Sequence, residues 1–354
     1  MAKQNSIWVS TDLIFANVNF EATERVLIMT GDGVDLIEGV AANTAEVAVY
    51  EPQFSTLERL RRYVRVDNVT FHDDVYPADE DAYDAAIVFV PKGREFGRAQ
   101  LYSAMKALKM GGALYLVGPN KGGAKTLIKD AQALFGSCEV MAYKKSHRLA
   151  VSIKNAENYP YPTEWGLEPT KMRYIEIETP LGTLEIASMP GIFSWDELDK
   201  GTSFLLENLD LGEAETALDV GCGYGVIGAL LAQKLQHVTL VDDNLLAVAC
   251  TKATLAKNGI ENASVLPSNV YSALDKTEPY DLIVSNPPFH RGLDVSRNVV
   301  ERIIRDAPDY LRAEGRLVLV ANEFLSYETN LAEAFTQSGS LARNNSFKVL
   351  EGLV

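Results

Sequence analysis

Cysteine and histidine are scarce in this 354-residue chain. Cys138, Cys222 and Cys250 are too few and too scattered for a disulfide framework or a zinc cage, so reduced thiols are expected. His72, His147, His237 and His290 show no paired spacing, and no metal site is expected. Long apolar runs are also missing. The N-terminal "MAKQNSIWVSTDLIF" lacks the apolar core of a signal peptide, and no run is long enough to cross a bilayer, which predicts a cytoplasmic protein with no membrane partner. Basic charge is short as well: 33 Lys+Arg against 48 Asp+Glu give a net charge of −15, which argues against tight binding of a polyanion by the chain as a whole.

The basic residues are not evenly spread. Residues 1–170 hold 18 basic and 22 acidic side chains, which leaves 15 and 26 for the rest. Between Lys92 and Arg148 there are 11 basic residues against Glu95, Asp130 and Glu139, a local excess of +8. That stretch is either a solvated face with ordinary surface lysines or a polyanion site. With 47% apolar and 23% charged residues the composition is that of a globular protein, and the length predicts two domains.

From Ala214 to Gly259 the chain reads "AETALDVGCGYGVIGALLAQKLQHVTLVDDNLLAVACTKATLAKNG": a short apolar strand, a glycine turn, a helix after Gly225, a strand ending on Asp242, and a helix over about Leu245 to Lys257. Three more strand-like runs follow, "ASVLPSN", "YDLIVSN" and "GRLVLVAN". Strands alternating with helices predict a doubly wound α/β sheet. Residues 25–120 repeat the order in weaker form. "RVLIMTGDG" parallels "TALDVGCGYG", "EVAVYEP" parallels "VTLVDDN", "YDAAIVFVPKG" parallels "YDLIVSNPPFH", and "LKMGGALYLVGPN" parallels "LRAEGRLVLVAN". This is an internal duplication: two tandem Rossmann-like domains, expected over 1–156 and 171–354. The proline-rich "NAENYPYPTEWGLEP" supplies a linker at 157–170. The first copy has "TGDG" and "VPKG" where the second has its glycine turn and its Asn-Pro-Pro-Phe corner, so it is expected to be degenerate.

The second copy carries the chemistry. Gly221, Gly223 and Gly225 let the chain turn tightly and let a ligand approach, and Asp242 stands about twenty residues on, where a carboxylate accepts ribose hydroxyls. Asp219 precedes the first glycine. An acid there repels pyrophosphate and suits a sulfonium and an α-amino group, which points to S-adenosylmethionine, although the same acid can simply brace the turn. The "SNPPFH" corner ends a strand at the cofactor cleft. Its prolines rigidify the backbone. The Asn286 side-chain carbonyl and the Pro287 carbonyl can then accept the two hydrogens of a planar amine while Phe289 stacks on its ring. Neither a metal nor a protein nucleophile is needed for in-line displacement at a sulfonium methyl. The role of His290 stays open between proton acceptor and rim residue.

These residues, with "PGIFSWDELDKGTSFLL", "PSNVYS", "VANEFLSY" and "NNSFKVLEG", resemble the tandem-domain, S-adenosylmethionine-dependent ribosomal RNA guanine-N2 methyltransferases of the small-subunit RNA type. The resemblance covers the whole chain. It implies a degenerate first domain and a catalytic second one. For the target base it implies Asn286, Pro287 and Phe289. For the cofactor it implies Gly221, Gly223, Asp242, Asn269 beside the adenine, the "FSWDELDKG" loop (Phe193, Asp199, Gly201) over the methionine end, and Asn286, which is expected at both ligands. The expected partner is ribosomal RNA or a ribosomal subunit, bound in part through Lys121, Lys125 and Lys129, with the protein a monomer. The same corner also serves large-subunit (23S) RNA, DNA-adenine and protein-glutamine methyltransferases. A non-catalytic RNA-binding assembly factor is the alternative from another class.

Overall fold

In a computed structural model the chain divides into two compact units, Met1–Lys171 and Met172–Val354. The described residues exclude Met1, Asp32, Asn158, Leu167, Pro169 and 288–292, together with the side chains of 2–6 and 293–296. The candidate residue Phe289 and its neighbour His290 therefore lie outside the described residues.

Unit 1 is built on seven strands: β1 (Arg25–Met29), β2 (Glu46–Tyr50), β3 (Val69–His72), β4 (Tyr83–Phe89), β5 (Leu108–Pro119), β6 (Glu139–Lys144) and β7 (His147–Ile153). Their order across the sheet is β3-β2-β1-β4-β5-β7-β6, the first five parallel and the last two antiparallel. Its helices are α1 (Ala2–Asn17), α2 (Val34–Ala41), α3 (Phe54–Tyr63), α4 (Arg94–Ala107) and α5 (Ala124–Phe135). Strands of a parallel sheet are covered on both faces and so become continuous apolar runs. In β1, Val26 and Ile28 enter one core with α1 and α2, while Leu27 and Met29 enter the other beside α4 and α5.

Unit 2 opens on a hairpin, β8 (Arg173–Thr179) and β9 (Gly182–Ser188), followed by α6 (Lys200–Glu207). Its main sheet holds β10 (Thr216–Val220), β11 (His237–Asp242), β12 (Ala263–Pro267), β13 (Tyr280–Ser285), β14 (Leu311–Asn322), β15 (Gln337–Arg343) and β16 (Phe347–Leu353). The order is β12-β11-β10-β13-β14-β16-β15, the same as in unit 1 strand for strand. Its remaining helices are α7 (Val226–Ala232), α8 (Leu245–Lys257), α9 (Leu293–Asp306) and α10 (Glu328–Ala334). The correspondence extends to α1 and α6, which pack on matching strands, β5 and β7 in one unit and β14 and β16 in the other.

The candidate linker segment is packed on unit 1 by its aromatic side chains. Tyr159, Tyr161 and Trp165 lie on unit 1: the Arg98 guanidinium sits 4.4 Å over the Trp165 ring, Tyr161 meets Tyr102 at 5.2 Å, and Tyr159 meets Phe135 at 5.8 Å. Three aromatic side chains gain more from docking on α4 and α5 than a proline-rich tether gains from solvent.

The turn of the first copy is filled. Thr30, in the place of Gly221, takes φ +57° and donates its Oγ1 to Phe89 O at 2.8 Å. Phe89 itself occupies the place of Asn286, and a Cβ on Gly31 would come within 3.1 Å of its ring. Val90 and Pro91 stand where the sequence of the second copy has Pro287 and Pro288.

Candidate active site

Strand β10 ends at the turn 221–225, where Gly221, Gly223 and Gly225 all have positive φ. Gly221 N and Cys222 N donate to Val241 O at 2.8 and 3.0 Å, which ties the turn to β11. From below, two fully buried threonines of α8 hold its carbonyls: Thr251 Oγ1 donates to Gly223 O and Thr254 Oγ1 to Tyr224 O, both at 2.9 Å. A Cβ on Gly221 or Gly223 would meet nothing within 4 Å, so this side of the turn is open to a ligand. Gly225 faces the other way, where a Cβ would come within 2.8 Å of Thr251.

At the end of β11, Asp242 is held in place by the backbone. Its Oδ2 accepts from Gly223 N at 2.9 Å and its Oδ1 from Asn244 N at 2.8 Å. An ionised carboxylate only accepts hydrogen bonds, the role that ribose hydroxyls require. Asn269 follows β12, with its side-chain oxygen accepting from Arg302 at 3.2 Å and its main-chain oxygen from the same guanidinium at 2.8 Å. The next residue, Val270, takes φ +58°, a strained conformation for a β-branched side chain.

Asp219 is placed otherwise than at a cofactor's amino group. It is fully buried, its Oδ2 accepts from Gly228 N of α7 at 2.9 Å, and its Oδ1 has no hydrogen-bond partner among the described residues. Alternation along β10 explains this: Leu218 and Val220 enter the core on one face, so Asp219 points into the other, beneath α7. Desolvation there raises its carboxyl to about 7. Asp219 therefore braces the turn. Cys222 is also buried, and burial lifts its thiol well above the usual range, in keeping with a packing role.

The loop 190–199 is tied at several points. Asn244 Nδ2 donates to Gly191 O at 2.9 Å, Ser188 Oγ to Trp195 O at 2.5 Å, and Tyr224 Oη to Glu197 O at 3.1 Å. Arg173 stacks 4.1 Å over the Trp195 ring. Phe193 stands 56% exposed on this loop. Asp199 closes it as the N-cap of α6, its Oδ2 accepting from Thr202 N at 2.9 Å. Gly201 is packed close, since a Cβ there would lie 2.9 Å from Asp199 Oδ2 and 3.3 Å from the Phe347 ring.

Strand β13 meets the turn through Ser285, whose Oγ donates to Val220 O at 2.7 Å. One residue past this lock lies Asn286 on one strand and Gly221 on the other. Asn286 Nδ2 donates to Asp199 Oδ2 at 2.9 Å and to Thr202 Oγ1 at 2.7 Å, and Pro287 is buried beside it. The structure thus gathers Asp199, Gly201, Gly221, Gly223, Asp242 and Asn286 at the carboxyl ends of β10, β11 and β13. Sequence reasoning missed Thr202, Tyr224, Asn244, Thr251 and Thr254. The α8 threonines carry a usable signal, a polar pair three residues apart on the buried face of a helix whose other polar residues, Lys252 and Lys257, are exposed.

A twice-repeated seven-stranded sheet with an open glycine turn, a fixed acid and an Asn-Pro corner defines a tandem Rossmann-like methyltransferase. A family model for the methyltransferase small domain matches residues 183–351, and one for the N-terminal part of that architecture matches 13–146. Relatives named ribosomal RNA small subunit methyltransferase C include one from Serratia proteamaculans, 34% identical over 94% of this chain and 92% of the relative. Another, from Vibrio vulnificus, is 32% identical over 91% and 92%. Among solved structures, the chain is similar to a T. thermophilus 16S rRNA N2 methyltransferase in complex with AdoMet and guanosine, with a TM-score of 0.82, 29% identity, and coverage of 98% of this chain and 91% of that one. The chain belongs to the ribosomal RNA small subunit methyltransferase C family.

Proposed function

We propose that this protein transfers a methyl group from S-adenosylmethionine to the exocyclic N2 of a guanine in small-subunit (16S) ribosomal RNA, in the cytoplasm. One observation carries the reading: the Ser285 to Val220 hydrogen bond places Asn286 immediately beside the open face of the glycine turn. An acceptor amine and a nucleoside cofactor would there share one cleft. Family membership and the relative solved with AdoMet and guanosine support the choice of both ligands.

Bound S-adenosylmethionine supplies a methyl group on a cationic sulfur with a neutral thioether as leaving group. The residues present fit it: Asp242 for the ribose hydroxyls, Gly221 and Gly223 for close backbone approach, Asn269 at the adenine, and Phe193, Asp199 and Gly201 at the methionine end. The Asn286 side-chain carbonyl and the Pro287 carbonyl receive the two amine hydrogens, which turns the nitrogen lone pair toward the methyl group. Phe289 is assigned the stacking face for the base. Asp219 acts one layer below, by holding α7 to β10.

The degenerate unit 1 is assigned the RNA. Several of its basic side chains are already engaged: Arg94 and Arg98 with Asp130, Lys106 with Glu80, Lys109 with Asp84, and Lys144 with Asp12. Lys121, Lys125 and Lys129 are exposed and make no ion pair among the described residues. The Asn120 N to Ser146 O bond at 2.8 Å brings the β6–β7 hairpin tip, with Lys145, next to Lys121. Arg148, 5.3 Å over the exposed Tyr143 ring, extends the same surface. Mapping methylguanosine in ribosomal RNA from a deletion strain tests the reading: one N2-methylguanosine should vanish from the small-subunit RNA and return on treatment with the purified protein. A complete set of small-subunit methylguanosines in the deletion strain would refute it.

A further inference from the structure

The amide of Asn286 is fixed by two side chains that reach it across a sequence distance of more than eighty residues. Nδ2 has two hydrogens. One goes to Asp199 Oδ2 at 2.9 Å and the other to Thr202 Oγ1 at 2.7 Å. An ionised carboxylate only accepts, so the end of the amide that faces Asp199 must be its NH2. Asn286 Oδ1, by contrast, accepts no hydrogen bond among the described residues.

We propose that Asp199 and Thr202 are positioning residues that lock Asn286 with its carbonyl turned to the methyl acceptor, making the corner selective for an N–H donor. The proposal rests on the reading of Asn286 as the residue that receives the acceptor amine. A flipped amide would face the substrate with N–H groups. It would then oppose an amine and favour a ring carbonyl, so the lock lets the site distinguish the amino edge of a base from its oxo edge. Both locking residues belong to the start of α6: Asp199 caps it, and Thr202, 6% exposed, lies in its first turn. The preceding loop is bound to the glycine turn by the Tyr224 to Glu197 contact at 3.1 Å. The cofactor turn is therefore tied to the loop through Glu197 O, and the end of that loop to Asn286 through the Asp199 carboxylate.

Thr202→Val keeps the shape of the side chain and removes the Oγ1 acceptor, while Thr202→Ser restores it. Thr202→Val should lower kcat by about 10- to 100-fold, the scale of a misplaced reacting group. Cofactor Kd and RNA KM should stay within about twofold, since binding common to ground and transition states is untouched. Thr202→Ser should keep kcat within about threefold of wild type on the same grounds. In 15N spectra of the full protein, the Asn286 side-chain amide should lose a slowly exchanging proton in Thr202→Val and regain it in Thr202→Ser. A wild-type kcat in Thr202→Val, equal losses in both variants, or an unchanged Asn286 amide signal would overturn the proposal. So would a kcat loss matched by an equal loss of cofactor affinity. Product analysis of the wild type separates this from the wider reading: transfer to an amine other than guanine N2 would refute the RNA-guanine assignment and leave the Thr202 result standing.

Discussion

At the scale of the residue, Asp219 shows what spacing conceals. Its position before a glycine turn is equally compatible with a cofactor contact and with a brace, and only the side of the strand it faces decides between them. Burial places its carboxyl at about 7, far above an exposed aspartate. The native state thus keeps a proton that the unfolded chain releases near pH 4. The resulting stability is greatest below that pH and falls as pH rises through about 7. Asp219→Asn mimics the protonated side chain and removes this term. Urea unfolding should show wild type losing on the order of 2–3 kcal/mol relative to Asp219→Asn between pH 5 and pH 8. A difference that is flat over that interval would mean that Asp219 is charged in the native state.

At the scale of the element, the parts that could be read from sequence were those whose physics is local. Apolar runs such as "TALDV" and "YDLIVS" became β10 and β13, and α8 occupies Leu245–Lys257 as its periodicity requires. The β6–β7 hairpin escaped because its two-residue turn, Lys145-Ser146, adopts positive φ without Asn or Gly to announce it. Thr202 escaped because its partner is Asn286, and no local pattern links them. Tyr159, Tyr161 and Trp165 were masked by the prolines around them. The glycine turn makes its own prediction, because its glycines face opposite ways. Gly225→Ala combines φ +85° with a Cβ 2.8 Å from Thr251, so it should cost more than the roughly 1–2 kcal/mol of a left-handed alanine alone. Gly221→Ala has φ +78° and open space around its Cβ, so its stability loss should stay near that figure while cofactor affinity falls. Thermal melts with cofactor titration measure both. Equal stability losses, with cofactor binding intact in Gly221→Ala, would contradict the assigned faces.

At the scale of the whole molecule, the division of labour follows from charge. Unit 2 carries most of the excess acid and would repel RNA at long range, so the encounter is proposed to fall to the basic surface of unit 1. The triple variant Lys121→Glu, Lys125→Glu, Lys129→Glu should raise the KM for RNA and leave the cofactor Kd unchanged. Each lost phosphate contact should flatten the slope of log K against log salt by roughly 0.7–0.9. A wild-type KM and salt slope would assign RNA binding to unit 2. The identity of the methylated atom decides the function proposed for the whole molecule. The direct measurement is nucleoside analysis of small-subunit ribosomal RNA after incubation with methyl-labelled S-adenosylmethionine and either wild type or Asn286→Ala. The expected result is label in N2-methylguanosine with wild type, and none with Asn286→Ala although that variant still binds the cofactor. Label in methyladenosine, label on protein, or undiminished N2-methylguanosine from Asn286→Ala would contradict it.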